Sequence, residues 1–331
     1  MKTERLDHKL AELRSTRPLP PEAVASLAAW FRVELTYSSN AIEGNTLSRA
    51  ETAVVLEKGI TVAGKPLKDH LEATNHAAAY DWITSLVKKK PHQIDESVVL
   101  NIHKLVLNGL DDHSAGIYRR VSVRIAGSPV IMPNPAKVPV LMDAFFDWLG
   151  KKSKMPPAQL AAEAHYRLVT IHPFSDGNGR TARLLMNLIL MQFGYPPAMI
   201  HPKDRVSYIR ALEEAQMGGS IDDFEAVIAK AIERSLDIYL KAIKQKDLPT
   251  SAKPKRGKLL KIGELAKRTG TPVPTIRFWL KEGLISSARR TASGYQLFDT
   301  DMIERVKLIR VLQSQRMTVM EIRDKIAKEE V

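Results

Sequence analysis

Apolar side chains recur at three- and four-residue spacing along much of this chain, which predicts a mostly helical protein. Residues 157–171 carry one such pattern, and Pro173 predicts that their helix ends at His172, because proline disfavours helical backbone in the residue before it. Residues 184–191 are apolar on almost every side, so we expect a central, buried helix that stops before Gly194. A short connection rich in glycine and charged residues joins the two helices.

This connection and the helical turn after it read HPFSDGNGRTAR, residues 172–183. The Gly-Asn-Gly sequence at 177–179 falls at the N-terminus of the second helix, where unpaired backbone N–H groups and the helix dipole favour an anion. Arg180 and Arg183 are three residues apart, so they point to a similar side of the first turn. Two cations at this end oppose the helix dipole unless an anion lies between them. The segment therefore predicts a site that binds and reacts a polyphosphate.

Residues 172–183 resemble the signature of the Fic family, HPFx(D/E)GNGRxxR, and match it at every fixed position. Residues 116–132 resemble the family's β-hairpin flap, and residues 205–218 are similar to the helical region after its core. The resemblance implies an enzyme that transfers AMP from ATP to a Ser, Thr or Tyr hydroxyl of a target protein or of itself. It also implies that the flap docks the target backbone by strand addition, although an ordinary hairpin would show the same alternation of apolar residues.

The resemblance assigns a role to each matching residue. His172 would be the general base that takes the hydroxyl proton, and Asp176 would hold Mg²⁺, a cation that prefers carboxylate and phosphate oxygens. The implied nucleotide-binding residues are Gly177, Asn178 and Gly179 around the α- and β-phosphates, Arg180 on the phosphates, Arg183 on the γ-phosphate, and Tyr208 and Gln216 at the adenine. Tyr208 could equally be a core or boundary aromatic, and the family more often has an Asn-type amide where Gln216 stands.

A second motif lies upstream, where residues 38–45 read SSNAIEGN. Taken alone, it indicates a helix that ends at Gly44, with Glu43 as a solvated acid. It also resembles the inhibitory motif of Fic proteins, (S/T)xxxE(G/N), with Ser39, Glu43 and Gly44 at the matching positions. The resemblance implies that Glu43 pairs with Arg183, occupies the γ-phosphate site and holds ATP in an unproductive position. Some family members also use this glutamate to position water for the removal of AMP.

Composition narrows the remaining possibilities. The 331 residues suffice for about two domains, and the absence of cysteine excludes disulfides and Cys-ligated zinc. The nine histidines include no HxxxH pair, so we expect no structural metal site. The N-terminus is too charged for a signal peptide, and no apolar stretch approaches the roughly 20 residues that a membrane span needs. We therefore expect a soluble, cytoplasmic protein.

Positive charge concentrates in the last quarter of the chain. Residues 251–331 hold eighteen Lys or Arg and nine Asp or Glu, a net charge of +9 out of +13, which leaves +4 for residues 1–250. Such clustering indicates nucleic-acid binding, although a basic face that is merely solvated is also common. Residues 244–258 are polar and basic and contain two prolines, which predicts a flexible linker.

The pattern beyond this linker favours the nucleic-acid interpretation. Residues 260–269 and 273–282 predict two short helices about a glycine turn, which is a helix-turn-helix pattern. Residues 286–298 predict a two-stranded wing, and amphipathic helices are expected at 301–312 and 318–326. Together these elements resemble the DNA-binding domain of the MerR family.

The MerR resemblance implies DNA as a partner. The implied contacts are Thr275 and Arg277 at the major groove, and Arg289, Arg290 and Tyr295 at phosphates and the neighbouring groove. For the arginines, simple solvent exposure is the alternative. Phe278 and Trp279 are expected in the core, and Gln296 stands where the family often has an arginine that contacts phosphate. No long dimerisation helix precedes Val331, so a DNA-binding homodimer would form through the Fic region.

We therefore expect a mostly α protein with a Fic-type helical core, a β-hairpin flap and a small C-terminal winged helix-turn-helix domain. The predicted divisions are an N-terminal helical region with the inhibitory motif at 1–110, a catalytic core at 111–243, the linker at 244–258 and the DNA-binding domain at 259–331. Two functions remain open. One is an autoinhibited adenylyltransferase with a DNA-binding module; the other is a transcriptional regulator that uses a catalytically silent Fic fold as a nucleotide sensor. The intact catalytic residues favour the enzyme.

Overall fold

The structure is a computed structural model that describes residues 4–89, 94–151, 155–244, 259–282, 284–285, 289–290, 296–298, 302–314 and 321–322. The chain divides into two compact units, Met1–Leu248 and Pro249–Val331. Among the described residues, no helix combines the length and apolar character that crossing a bilayer requires. Outside the described residues lie residues 245–258 of the linker predicted at 244–258, Tyr295 of the wing and most of the helix expected at 318–326.

The regular secondary structure of the first unit is helical among its described residues. Its α-helices are α1 Glu4–Ser15, α2 Pro21–Ile42, α3 Arg49–Lys58, α4 Leu67–Lys89, α5 Glu96–Leu107, α6 Val138–Lys151, α7 Pro157–Ile171, α8 Asn178–Gln192, α9 Arg205–Gln216 and α10 Asp222–Lys244. One hydrophobic core runs from Leu6 in α1 to Leu240 in α10. Because α1 packs on α10, the two ends of this unit meet, and the core is continuous between them.

The central pair of helices follows the sequence pattern closely. α7 ends at Ile171 because His172 takes left-handed backbone with φ of 51°, and the His172 amide closes the last turn on Leu168 O at 2.9 Å. α8 begins after Gly177, whose φ is 73°. Its apolar residues are buried, and it packs against α2, α4, α5 and α7. The N-terminus of α8 is thereby fixed in the middle of the unit.

The expected β-hairpin at residues 116–132, here called the flap segment, is wrong in its strands. The segment turns at Ala126–Gly127, where Ser128 N donates to Ile125 O at 3.1 Å, but none of its residues belongs to a strand. Carbonyl groups near its two ends accept hydrogen bonds from one side chain, that of Arg119. A side chain therefore satisfies groups that a strand ladder would otherwise pair.

The second unit contains the predicted helix-turn-helix and wing. Its elements are β1 Leu260–Lys261, α11 Ile262–Thr269, α12 Val273–Lys281, β2 Arg289–Arg290, β3 Gln296–Phe298 and α13 Met302–Ser314. The strands form an antiparallel sheet with β3 in the middle, where Leu260 lies opposite Phe298 and Arg289 opposite Leu297. Strand β1 was expected to be helical. The helix starts only at Ile262, since Lys261 has extended backbone.

The core of the second unit forms around α12. Trp279 is 1% exposed, as expected, but Phe278 is 47% exposed, contrary to the expectation that it is buried. The reason is the helical repeat: Ile276 and Trp279, three residues apart, face the core together, and Phe278 points elsewhere. The exposed face of α12 therefore carries Phe278 as well as Arg277.

Candidate active site

A cavity of about 290 Å³ opens at the N-terminus of α8. It brings together the signature, Glu43, the flap segment and α9, which are far apart in sequence. Its lining residues are Glu43, Arg124, Ile125, Ser128, Val169, His172, Ser175, Asp176, Gly177, Asn178, Gly179, Arg183, Tyr208, Ile209, Leu212, Glu213 and Gln216. Of the residues that the Fic resemblance implicates, Arg180, Ser39 and Gly44 are missing from this lining.

His172 stands at one side of the cavity as a neutral base. Its Nδ1 lies 3.2 Å from Val169 O, and because a carbonyl only accepts, Nδ1 carries the proton and Nε2 is left to accept one. Burial lowers the pKa of His172, the bond to Val169 raises it, and the Arg119 cation lowers it further. The net lowering favours the unprotonated form that a general base needs.

Residues 172–177, here called the signature loop, are held by contacts inside the protein. The Asn178 side chain accepts from Phe174 N at 3.0 Å and donates to Phe174 O at 2.8 Å. The Phe174 ring stacks on His103 of α5, with ring centroids 3.6 Å apart and an interplanar angle of 7°. His103 Nε2 lies 3.0 Å from Asp176 O, and His103 Nδ1 accepts from Gly116 N at 2.9 Å. The Asn178 amide therefore shapes the loop, in addition to lining the cavity.

The N-terminus of α8 presents its amides to the cavity. The amides of Asn178, Gly179 and Arg180 precede the helical bond from Thr181 N to Gly177 O at 2.9 Å. A Cβ atom on Gly179 would collide with Glu43 Oε1 and lie 3.0 Å from Arg183 Nη1. Glycine therefore leaves room for a carboxylate that approaches the main chain, and a larger residue would force the Glu43 side chain to move.

Arg183 is held by the end of α2. Its Nη2 donates to Glu43 Oε1 at 2.7 Å and to Ser39 O at 3.0 Å, and its Nε donates to Ser39 Oγ at 3.0 Å. α2 ends at Ile42, and Gly44, with φ of 96°, turns the chain away after Glu43. Glu43 is therefore not a plain surface acid, because its carboxylate pairs with the Arg183 guanidinium in the first turns of α8.

Helix α9 contributes both apolar and polar side chains to the cavity lining. Tyr208 is buried, and its hydroxyl lies 2.9 Å from His165 Nε2 and 3.4 Å from Arg183 Nη1. Its ring is thus part of the core and of the cavity wall at once. Gln216 Nε2 donates to Thr170 Oγ1 at 3.3 Å. With the apolar residues nearby, these side chains form a slot suited to a flat heterocycle.

Arg180 differs from the expectation that it faces the same side as Arg183. It is buried, with Nη1 3.2 Å from Glu72 Oε1 of α4 and Nη2 3.3 Å from Asp176 Oδ2. Glu72 is itself buried and also accepts from Asn45 Nδ2 at 2.9 Å. The two guanidinium groups therefore have different carboxylate partners, Glu72 and Asp176 for Arg180 and Glu43 for Arg183.

Asp176 carries the exposed carboxylate of the site. Its side chain is 67% exposed and lines the cavity, and Oδ1 accepts from Gly177 N at 2.6 Å. Within the described residues, no group of three His, Cys, Asp or Glu side chains could hold a metal ion. One carboxylate fits Mg²⁺ when phosphate oxygens and water supply the remaining ligands.

Comparisons with known proteins agree with this geometry. Residues 93–190 match the model of the Fic/DOC family. A Fic domain-containing signaling protein from Bacteroides thetaiotaomicron is 30% identical, with a TM-score of 0.66 over 74% of this chain and 98% of its own. The chain belongs to the Fic family. Residues 260–329 match the model of the MerR HTH family regulatory protein.

Other Fic proteins are similar over the first unit. Fic-1 from C. elegans is 33% identical, with a TM-score of 0.66 over 72% of each chain. Protein adenylyltransferase Fic from Culex quinquefasciatus is 40% identical over 248 residues, which cover 74% of this chain and 49% of that protein. The relative of the same name from Nematostella vectensis is 40% identical over 206 residues and is covered to 48%. The chain spans about half the length of these curated relatives.

Three residues of this Fic site were missed by reasoning from the sequence. His103 and Glu72 come from helices α5 and α4, and nothing in their local sequence signals a contact with the signature. Arg119 lies within the segment that resembles the flap, but its contacts with His172 O and Pro133 O depend on the fold. Most fixed residues of the signature line the cavity. His103, Glu72 and Arg119 do not line it but contact residues of the signature.

Proposed function

We propose that this Fic protein is an autoinhibited protein adenylyltransferase, which transfers AMP from ATP to a hydroxyl group of a target protein or of itself. The relatives named adenylyltransferase support this activity. So does a neutral histidine beside a helix N-terminus with free amides, in a cavity large enough for a nucleotide. The target hydroxyl oxygen attacks the α-phosphorus, the bond to the β-phosphate oxygen breaks, and pyrophosphate leaves.

The residues of the chain divide this work. His172 Nε2 takes the proton from the attacking hydroxyl, and the amides at 178–180 stabilise charge on the phosphates. Asp176 would hold Mg²⁺, which supplies charge neutralisation at the phosphates when it is bound. Tyr208 and Gln216 would line the adenine slot. Arg180 would reach the phosphates only after release from Glu72.

The contact between Glu43 and Arg183 carries the proposal of autoinhibition. A 2.7 Å ion pair occupies the guanidinium that would hold the γ-phosphate. Ser39 holds the same guanidinium in place through its hydroxyl and carbonyl. A triphosphate therefore competes with a carboxylate that the fold already positions.

Removal of the Glu43 carboxylate tests this proposal. Glu43→Gly and Glu43→Gln should each raise incorporation of label from α-labelled ATP into the protein by about tenfold or more, since tenfold corresponds to only about 1.4 kcal/mol. Glu57→Gln, which removes an exposed acid of α3, is the matched control and should leave incorporation unchanged. Adding His172→Ala to Glu43→Gly should abolish it.

Two results would count against the proposal. Equal incorporation by the wild type and both Glu43 variants would contradict autoinhibition. ATP binding without any transfer, in both Glu43 variants, would favour the alternative that the Fic fold serves as a nucleotide sensor for a regulator.

We further propose that the second unit binds DNA. Its match to the MerR model, its net charge and the exposed Arg277 on the second helix of the helix-turn-helix support this role. Thr275 lies half-buried on the same helix, and Arg289 and Arg290 form strand β2 of the wing. The salt dependence of DNA affinity is the decisive measurement.

A further inference from the structure

One buried arginine, Arg119, joins the flap segment to the signature loop. Its Nε donates to His172 O at 2.7 Å, its Nη1 to Val121 O at 3.0 Å and its Nη2 to Pro133 O at 2.7 Å. Its backbone N–H donates to Pro173 O at 2.9 Å. One side chain thus bonds both ends of the flap segment and the backbone of the catalytic base.

The partners of Arg119 are unusual for a buried cation. Among the residues that the structure describes, its hydrogen-bond acceptors are all main-chain carbonyls, and no carboxylate pairs with it. Burial lowers the pKa of Arg119. Leaving a buried charge without an anion is unfavourable, so a structural tie alone would not require a guanidinium here. Beside His172, the N–H groups of the guanidinium bond the backbone, and its positive charge lowers the pKa of the imidazole.

The backbone at His172 needs support of the kind that Arg119 provides. Its φ of 51° lies in the left-handed region, which is unfavourable for a residue with a side chain. The direction of the imidazole ring depends on this backbone conformation. The hydrogen bond from Arg119 Nε to His172 O holds the carbonyl group of the same residue in place. The same guanidinium bonds the backbone of the flap segment, whose Ile125 and Ser128 line the same cavity as His172.

We propose that Arg119 is a positioning residue, which orients His172 and seats the flap segment against it. The claim that this orientation serves catalysis rests on the proposed adenylyltransferase function, whereas the tie itself is a property of the fold. The charged groups that act on His172 are Arg119, which favours its neutral form, and Glu43 and Asp176, which favour its protonated form. The effect of Arg119 on the pKa of His172 is therefore opposite to that of the two carboxylates.

Two substitutions separate geometry from charge, each made in the Glu43→Gly background. Arg119→Lys keeps the cation but cannot bond three carbonyls at once, whereas Arg119→Met removes the charge as well. Arg120→Met removes the same charge from the adjacent, exposed arginine and is the matched control. Self-labelling is measured as a function of pH.

We expect both Arg119 variants to lose roughly 10²-fold in rate, the usual effect of a small misplacement of a catalytic group. Arg119→Met should also shift the acid limb of the pH profile to higher pH, because loss of the cation raises the pKa of His172. Arg119→Lys should keep that limb in place, and Arg120→Met should change neither quantity. A purely structural role would lower the rate without moving the acid limb.

Two measurements that do not depend on activity distinguish a failure of the Arg119 proposal from a failure of the proposed adenylyltransferase function. The His172 imidazole can be titrated by NMR, with its resonance assigned through His172→Ala, and exchange of the amides at 121–133 can be followed by mass spectrometry. We expect a higher His172 pKa in Arg119→Met and faster exchange in both Arg119 variants. If Glu43→Gly is inactive, the proposed function fails while these two measurements still decide about Arg119.

Unchanged exchange and an unchanged rate in Arg119→Lys would overturn the proposal. So would a pKa of His172 that is the same in Arg119→Met and Arg120→Met. Should Arg119→Met not fold, as judged by its thermal unfolding, the exchange and rate of Arg119→Lys decide.

Discussion

Gly179 lets a carboxylate approach the main chain at the start of α8. A side chain there would meet Glu43 Oε1 and Arg183 Nη1, so the demand for glycine arises from crowding. Gly177, in contrast, has φ of 73°, where glycine is favoured by the backbone itself. The two glycines of the signature are therefore required for different reasons, and only the first reason depends on Glu43.

This difference predicts a coupling between positions 179 and 43. Gly179→Ala should destabilise the otherwise wild-type protein by about 1–3 kcal/mol, the usual cost of overpacking. In the Glu43→Gly background the contact with Glu43 is absent, so this destabilisation should nearly vanish. The higher helix propensity of alanine, by about 1 kcal/mol, acts in the same direction. Chemical denaturation of the four proteins gives the cycle. An equal cost in both backgrounds would show that Glu43 does not create the crowding.

The signature predicted one part of the cavity lining, but not the direction of every side chain. Spacing on a helix places Arg180 and Arg183 on neighbouring faces, and nothing local shows that Glu72, which is 108 positions before Arg180, pairs with it. The ion pair between these two buried side chains depends on how α4 packs on α8. His103 was hidden for the same reason, since its partners come from the signature loop and the flap segment.

At the scale of elements, prediction succeeded where the signals were local. The bounds of α7 follow from prolines at its start and just after its end, and the start of α8 follows from Gly177. The flap segment failed because its alternating apolar residues suggested a strand pair, whereas Arg119 bonds the carbonyls near its ends. Hydrogen bonds from a side chain within the segment therefore replace the strand pairing that the local pattern suggested.

His103 links α5 to the signature loop through both ring nitrogens. Gly116 N donates to Nδ1, so Nε2 carries the proton that is donated to Asp176 O. A second proton would replace the acceptor at Nδ1 with a donor and break the link to Gly116. Burial lowers the pKa of His103 to about 4. The fold therefore requires this histidine to be neutral.

The link predicts a loss of stability in acid. Between pH 6.5 and about 4, the unfolded chain binds a proton at His103 and the folded chain does not, so the free energy of unfolding falls as pH drops through this window. The contribution is of the order of 3 kcal/mol. His103→Gln should make the pH dependence less steep, as measured by urea denaturation. His8→Gln, at an exposed histidine of α1, is the control and should leave the curve in place.

Parallel curves for the wild type and His103→Gln would contradict this assignment. His76 and His165 are also buried, and burial lowers the pKa of each to about 3, so they keep part of the pH dependence in every variant. The prediction therefore concerns the difference between the curves.

At the scale of the whole molecule, the chain combines two units with separate cores and unequal charge. The hydrophobic cores of the two units share no residue. The net charge is +4 for residues 1–250 and +9 for residues 251–331. Charge clustering and prolines can be read without knowledge of packing, and they predicted a linker at 244–258. Charge alone does not identify a nucleic-acid site, so the proposal of DNA binding rests on the placement of cations on a helix-turn-helix and its wing.

The DNA proposal predicts a steep and localised salt dependence. On DNA selected from a random pool, the logarithm of affinity should fall linearly with the logarithm of salt concentration, by about 0.9 for each phosphate contacted. Arg289→Gln should lower that slope by about 1 if the wing contacts phosphate. Arg210→Gln removes the same charge from a 74%-exposed position in the first unit, and should leave slope and affinity unchanged. Equal losses in both variants would mean that net charge alone attracts DNA. Binding that ignores salt would instead make the second unit a protein-interaction domain.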